Sequence, residues 1–180
     1  KESWSKEVLG DISKISKGKG ISKSQLDKNG DTKCILFGQL YTTYNEIISN
    51  VVSKTSLPAE GLVFSKSNDV IIPCSGETHI DIARASCVKD DNIALGGDMS
   101  IIRSENNGVF MSYYLSNKKK IDIACFAQGS SVIHLYPHHL KKLQLNLPTL
   151  TEQEKIAEFL SSVEKKIQLL EKKKEQLEQY

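Results

Sequence analysis

The side chains best suited to chemistry in this 180-residue sequence stand where apolar runs give way to polar loops. Gln39, Thr42, Thr43 and Tyr44 follow the run at 33–38. Ser75, Gly76, Glu77, Thr78 and His79 follow the run at 69–74. Gln128, Gly129, Ser130 and Ser131 precede the run at 132–136. A glutamine amide can pair with adenine through two hydrogen bonds, hydroxyls suit several acceptors, and guanidinium groups such as those of Arg84 and Arg103 match guanine. Glycines beside such groups let backbone come close to a duplex. The same residue types also populate loops simply because they form turns well, so composition leaves both readings open.

Catalytic constellations are weaker. The Gly18-Lys19-Gly20 stretch lacks the preceding strand and the Gly-Lys-Ser/Thr ending of a phosphate-binding loop. Neither a dinucleotide fingerprint nor a methyl-donor site is visible. His138 and His139 are adjacent, so their rings point apart, and no acidic or cysteine ligand stands at helical spacing; a surface turn after Pro137 explains them. Asp69 with Glu77 and His79 loosely resembles the carboxylates of a metal-dependent nuclease, with His79 where that pattern has lysine. A Ser/His/Asp set can be assembled from any chain this rich in serine. The sequence does not read as a catalyst.

Lysines cluster locally: Lys14, Lys17, Lys19 and Lys23 near the start, then Lys118-Lys119-Lys120, then Lys141-Lys142. Gathered on one face, they would form a stripe for phosphates. The cysteines at 34, 74, 87 and 125 lie too far apart for a structural zinc site. Cys34, Cys74 and Cys125 sit in apolar runs, where a thiol behaves as a small hydrophobe. Reduced core cysteines of a cytosolic protein are expected.

Two kinds of element must position these groups. Up to about residue 148, short apolar runs alternate with Gly, Asn, Asp and Ser, as at 33–37, 69–73 and 98–103. They read as short strands in an α+β domain of irregular topology. The strongest helical signal there is 108–117, with Val109, Phe110, Tyr113, Tyr114 and Leu115 on one face, and 22–27 suggests a helical turn. After Pro148 the pattern changes. Thr151 and Glu154 have the spacing of a capping box. From there Ile156, Leu160, Val163, Ile167, Leu170, Lys174 and Leu177 step by alternating fours and threes, the seam of a coiled coil. Phe159 and Leu169 widen it, and Lys174 would help select register. Neither Gly nor Pro interrupts 149–180. Such a helix needs a partner for its stripe, either a second helix or, less in keeping with its length, its own domain.

Composition fits a chain that folds. Hydrophobic residues make up 39% and charged residues 26%, and the net charge is +2. A disordered tail is excluded. No apolar run has the roughly 18–20 residues of a membrane span, so no membrane association is expected. Position 1 is Lys and polar residues follow, so the sequence reads as a fragment or processed piece without a signal peptide.

Several of these stretches resemble one family, the specificity subunits of type I restriction-modification systems. The strongest match is Ile133, then 140–148 (Leu-Lys-Lys-Leu-Gln-Leu-Asn-Leu-Pro), then 152–160 (Glu-Gln-Glu-Lys-Ile-Ala-Glu-Phe-Leu), which is similar to that family's entry into a conserved helix. Trp4, Leu9-Gly10-Asp11, Gly18-Lys19-Gly20, Asp69-Val70-Ile71-Ile72 with Ser75-Gly76, Tyr113-Tyr114-Leu115 and Ala127-Gln128-Gly129-Ser130 support it in the expected order. The resemblance implies a mixed-sheet target-recognition domain at 1–148 and a long coiled-coil spacer helix at 149–180. It implies one half of a two-domain reader, excised or natural. Double-stranded DNA would be bound by Lys17, Lys19, Lys23, by Gln39, Thr42, Thr43 and Tyr44, by Ser75, Gly76, Thr78 and His79, and by Gln128, Ser130 and Ser131, and Ile156 through Leu177 would pair with a second spacer helix from another half or a second copy. The implied partners are a modification subunit holding S-adenosylmethionine and a restriction subunit using ATP with magnesium, in a bacterial or archaeal cytoplasm. The chain itself would hold no metal or cofactor and would not catalyse. A protein-interaction module with a docking helix and a small metal-dependent nuclease are the competing readings.

Overall fold

A computed structural model describes residues 4–178. The strands are β1 (Ser5–Val8), β2 (Ser13–Lys17), β3 (Thr32–Ile35), β4 (Ile47–Ile48), β5 (Ser53–Thr55), β6 (Val70–Pro73), β7 (Ser75–Gly76), β8 (Ser86–Val88), β9 (Ala94–Leu95), β10 (Met99–Ser104), β11 (Ile133–His134) and β12 (Gln144–Leu147). The helices are α1 (Leu9–Ile12), α2 (Gln39–Thr42), α3 (Gly108–Tyr113), α4 (Lys120–Phe126), α5 (Pro137–Leu140) and α6 (Leu150–Glu178). This is an α+β fold with mixed sheets and a long terminal helix.

The central sheet runs β2-β10-β6-β8-β4, antiparallel except for the β4–β8 pair. Val70, Ile71 and Ile72 in β6 are buried in succession, as are Met99 through Ile102 in β10. Such continuous burial marks strands covered on both faces rather than the alternation of a half-solvated sheet. On one side α3, α4, α5 and the β1–β12 pair close over Val70, Ile72 and Ile102. On the other, Leu40, Tyr44 and Ile48 close over Ile71, Met99 and Ile101. A second sheet, β5-β3-β9, flanks that core.

Several local expectations change. The helical signal at 108–117 resolves into α3 and a π turn at Tyr114–Lys118, and α4 follows. Cys125 lies on α4 and is exposed, because the amphipathic helix turns Ile123 and Ala124 inward instead; Cys34, Cys74 and Cys87 are the buried thiols. The turn at 22–27 is a single 3-10 turn, Lys23–Gln25, closed by a Ser22/Gln25 capping box. The start of the long helix moves two residues back from Thr151. Thr149 accepts from the Glu152 amide through its hydroxyl (3.4 Å), and its carbonyl receives Gln153 N–H (2.9 Å). Pro148 has no amide to satisfy, so the first residue able to cap the helix is the one beside it.

Candidate nucleic-acid interface

The registers place three strand ends together: Met99 opposes Pro73, and Ser100 opposes both Ile72 and Lys17. The ends of β2 and β6 and the start of β10 therefore share one end of the central sheet. From that end the chain leaves toward the loops that the sequence picks out. Cys74 N–H donates to Asp98 O at 2.8 Å, which holds the exit of β6 beside the start of β10.

An open cleft at this end is lined by Phe37 and Tyr41, by Ser75, Gly76, Glu77 and Asp81, and by Ser131 and Val132. Three loops distant in sequence thus meet. Pairing of β7 with β11 sets Gly76 opposite Ile133 and Ser75 opposite His134. Ser75 Oγ and His134 Nδ1 are 3.1 Å apart, and the Tyr41 hydroxyl donates to Ser75 O at 2.8 Å. Burial pushes the Tyr41 phenol well above its usual range, partly offset by the Arg84 guanidinium 5.1 Å from its ring centre. Tyr41 therefore stays protonated and keeps its donor role. Gly129 has φ +128°, and a Cβ there would stand 2.1 Å from Val132 O, so the tip carrying Gln128, Ser130 and Ser131 requires glycine.

Gln128, Ser130, Ser131, Thr78 and His79 are exposed, whereas Ser75 and Gly76 are half-buried in the cleft wall. Thr78 has a structural engagement too: its hydroxyl donates to Asp81 (2.7 Å) and accepts from the Asp81 amide (3.0 Å), closing the turn. Thr42 and Thr43 are exposed on and just after α2, 3.2 Å apart through their hydroxyls. Gln39 and Tyr44 serve the fold instead. Gln39 accepts from Leu36 N–H and donates to Ser53 Oγ, because its amide closes the turn into α2. Tyr44 is 8% exposed and its hydroxyl accepts from Val52 N–H.

Both arginines are likewise occupied. Arg84 donates to Leu40 O at 2.5 Å, and Arg103 forms a two-pronged pair with Asp69. Asp69 is 1% exposed and also accepts from Lys66 N–H, so it cannot join Glu77 and His79 as a metal ligand. Among the described residues no group of three or more His, Cys, Asp and Glu could hold a metal ion. The rings of His138 and His139 do not point apart as their adjacency suggests: on the short turn of α5 they meet edge to face with centroids 4.0 Å apart, and Tyr136, just before α5, stacks on His138.

Lys17 ends β2 at the shared sheet end; burial pushes the neighbouring Cys74 thiol up, and the Lys17 charge offsets this only in small part. The turn beyond it is held by Gly18 N–H to Met99 O and Lys19 N–H to Leu95 O. A Cβ on Gly18 would lie 2.0 Å from Gly96 O, so only glycine allows this approach. Lys17, Lys19 and Lys23 are all exposed. Lys118 borders the α3–α6 crevice instead, and Lys119 pairs with Asp122 at 2.7 Å. Phe37, Tyr41 and Val132 also line the cleft, and no spacing or composition signal in the sequence marks them. Phe37 (37% exposed) and Val132 (49%) are apolar side chains facing water, which suit contact with a thymine methyl.

Opposite the cleft end, α6 packs its first turns on the domain. Gln153 and Ala157 are buried and Ile156 packs against the main core. Leu160 borders a crevice with Phe110, Tyr113 and Tyr114. Ile156 and Leu160 thus face their own domain, because α3 offers an aromatic surface there. Val163, Ile167, Leu170 and Leu177 are open to solvent, and Lys174 pairs loosely with Glu178.

The family model of the type I restriction modification DNA specificity domain matches residues 1–179. This chain belongs to that family. A Haemophilus influenzae protein described as a type I restriction enzyme specificity subunit is 28% identical over 162 residues, covering 87% of this chain and 39% of the relative. The S subunit of the type I restriction-modification system from M. genitalium superposes with a TM-score of 0.65 at 17% identity, over 93% of this chain and 40% of its own. The HsdS subunit from Thermoanaerobacter tengcongensis gives 0.61 at 16%, over 93% and 39%. A structure describing assembly and conformational transition of the type I system gives 0.67 at 16%, over 94% and 40%. The chain spans about two fifths of the length of each of these relatives. Among the described residues no helix is long and apolar enough to cross a membrane.

Proposed function

We propose that this chain is a DNA-reading half of a type I specificity subunit, one target-recognition domain with one spacer helix. The observation that carries this reading is the meeting of the 37–41, 75–81 and 131–132 loops in one cleft, at the sheet end where Lys17 and Lys19 emerge. Lysines would pair with phosphates and position the domain without reading sequence. Thr78, Gln128, Ser130, Ser131 and exposed Glu77, whose carboxylate suits the cytosine amino group, would meet base edges.

One such cleft reads roughly three or four base pairs, too few to be rare in a genome, so a second reader completes the target. The solvent-facing stripe from Val163 to Leu177 is the surface for a second spacer helix, from another half or a second copy. Two copies about a two-fold axis would read an inverted repeat around a nonspecific spacer. In this reading the chain catalyses nothing and holds no cofactor. A modification subunit brings S-adenosylmethionine and a restriction subunit uses ATP with magnesium, in the cytoplasm of a bacterium or archaeon.

Adenine-methylation mapping of DNA from cells co-expressing this chain with its modification subunit tests the proposal. A split methylated motif is expected. Methylation that is absent, both with this chain alone and with a second recognition domain fused on, would overturn it.

A further inference from the structure

The helix α6 is joined to the recognition domain by two polar fastenings on one face. Gln153, 2% exposed, accepts from Asn107 N–H (3.0 Å) and donates to Asn106 Oδ1 (2.9 Å) and Pro148 O (3.0 Å). Eleven residues later, three helical turns on, Glu164 accepts a short hydrogen bond from the Tyr113 hydroxyl. Burial and the adjacent carboxylate both push the Tyr113 phenol above its ordinary range, so it remains a donor. Between these points Ile156 and Ala157 pack on the main core, and beyond them the packing thins. An open crevice separates Ile47 and Val109 from Ser161 and Gln168. Among the described residues, Tyr113–Glu164 is the one hydrogen bond between helix and domain beyond Ala157.

The fastenings connect to the cleft through a rigid path. Asn106 and Asn107 lie one residue beyond β10, whose other end, Met99, lies at the cleft end of the sheet. Asn68, just before β6, donates to Asn106 O (2.8 Å) and accepts from Gly108 N–H (2.6 Å), tying the same corner to the neighbouring strand. The two strands that carry the cleft at one end thus carry the helix fastening at the other.

We propose that Gln153 and the Tyr113–Glu164 pair are positioning residues that fix the direction of α6 relative to the reading loops, and so set which separation between two recognised DNA segments is accepted. The inference rests on the DNA-reading proposal above. A helix held at one point can pivot; held at two points about 16 Å apart it has one direction. Any pivot is magnified along the exposed remainder of the helix.

Spin labels on the exposed native Cys125 and on a Glu175→Cys replacement measure that direction in the full chain. The parent should give a narrow distance distribution, and Tyr113→Phe and Gln153→Ala should each broaden it, while Glu164→Gln, which keeps an acceptor, should broaden it least. Tyr113→Phe removes a single hydroxyl, so it keeps the test open if Gln153→Ala fails to fold. With the modification subunit, on duplexes whose segments are one base pair closer or farther than the native spacing, Tyr113→Phe should lower spacing selectivity roughly fivefold, as one lost hydrogen bond would. Base preference within each segment should not move. Unchanged distance widths would overturn the clamp; broadened widths with intact spacing selectivity would overturn its consequence. A parent that selects no sequence would remove the spacing claim together with the reading on which it rests, and the distance widths would still judge the clamp.

Discussion

Asp69 receives both prongs of the Arg103 guanidinium, Nε at 2.7 Å and the terminal nitrogen at 2.6 Å, across the β10–β6 pair. The two ends differ in exposure: the Arg103 side chain is 40% exposed and that of Asp69 1%. Arginine can turn to water if its partner is lost, whereas the carboxylate cannot. Asp69→Ala should therefore destabilise the fold by about 2 kcal/mol, and Arg103→Ala by more, as an uncompensated buried charge remains. Urea unfolding of both variants checks the order. Equal stability with lost DNA cleavage would instead fit a metal-binding carboxylate.

Lys17→Gln, Lys19→Gln and Lys23→Gln should weaken binding to all duplexes alike. Each lost phosphate contact should flatten the double-logarithmic salt dependence by about 0.9. Titrations on specific and scrambled duplexes between low and physiological salt measure this. A change in base preference would move these lysines out of the backbone-contacting role.

Gln128→Ala should relax preference at one base pair, with a loss of about 1–3 kcal/mol against the favoured base only. Gln39→Ala should behave oppositely. Its amide joins Leu36 to Ser53, so the fold should weaken while preference in the surviving protein holds. Binding selections and melting curves of the two variants separate reading from support.

Thiol chemistry should follow burial. Burial pushes the Cys87 thiol up to about 11, and Cys34 and Cys74 also upward, while Cys125 is exposed. A thiol reagent near pH 8 should modify one cysteine quickly in the folded chain and the rest only on unfolding. The native state holds these protons more tightly than the unfolded chain, so their contribution is complete below the ordinary thiol range near 9. It is then lost as pH rises through about 11. Unfolding free energies across that window should fall; a flat profile would contradict the burial.

The pattern of apolar runs made the strands at 33–35, 70–73 and 99–103 legible, and most plainly Val70–Pro73, where burial on both faces leaves no polar interruption. The alternating seam after Pro148 made the long helix legible too. Its capping residue was misplaced since Thr149 and Thr151 both have an acidic residue three positions on, and only Pro148 distinguishes them. Which loop residues face solvent was not legible. Gln39 and Gln128 look alike as sequence, and a partner 14 residues away, Ser53, decides that one is a strut. Arg84 and Arg103 fail similarly, through partners on other elements. The three-loop cleft depends on two-residue strands, β7 and β11, too short to leave a periodic signal.

Selection from a pool of randomised duplexes by this chain at moderate salt tests sequence reading most directly. A short enriched motif of roughly three to four base pairs is expected, with binding that falls steeply as salt rises. Enrichment that Gln128→Ala and Thr78→Ala redirect, and lysine replacements only weaken, would place the reading in the cleft. A pool that emerges unenriched, or binding indifferent to salt, would contradict it.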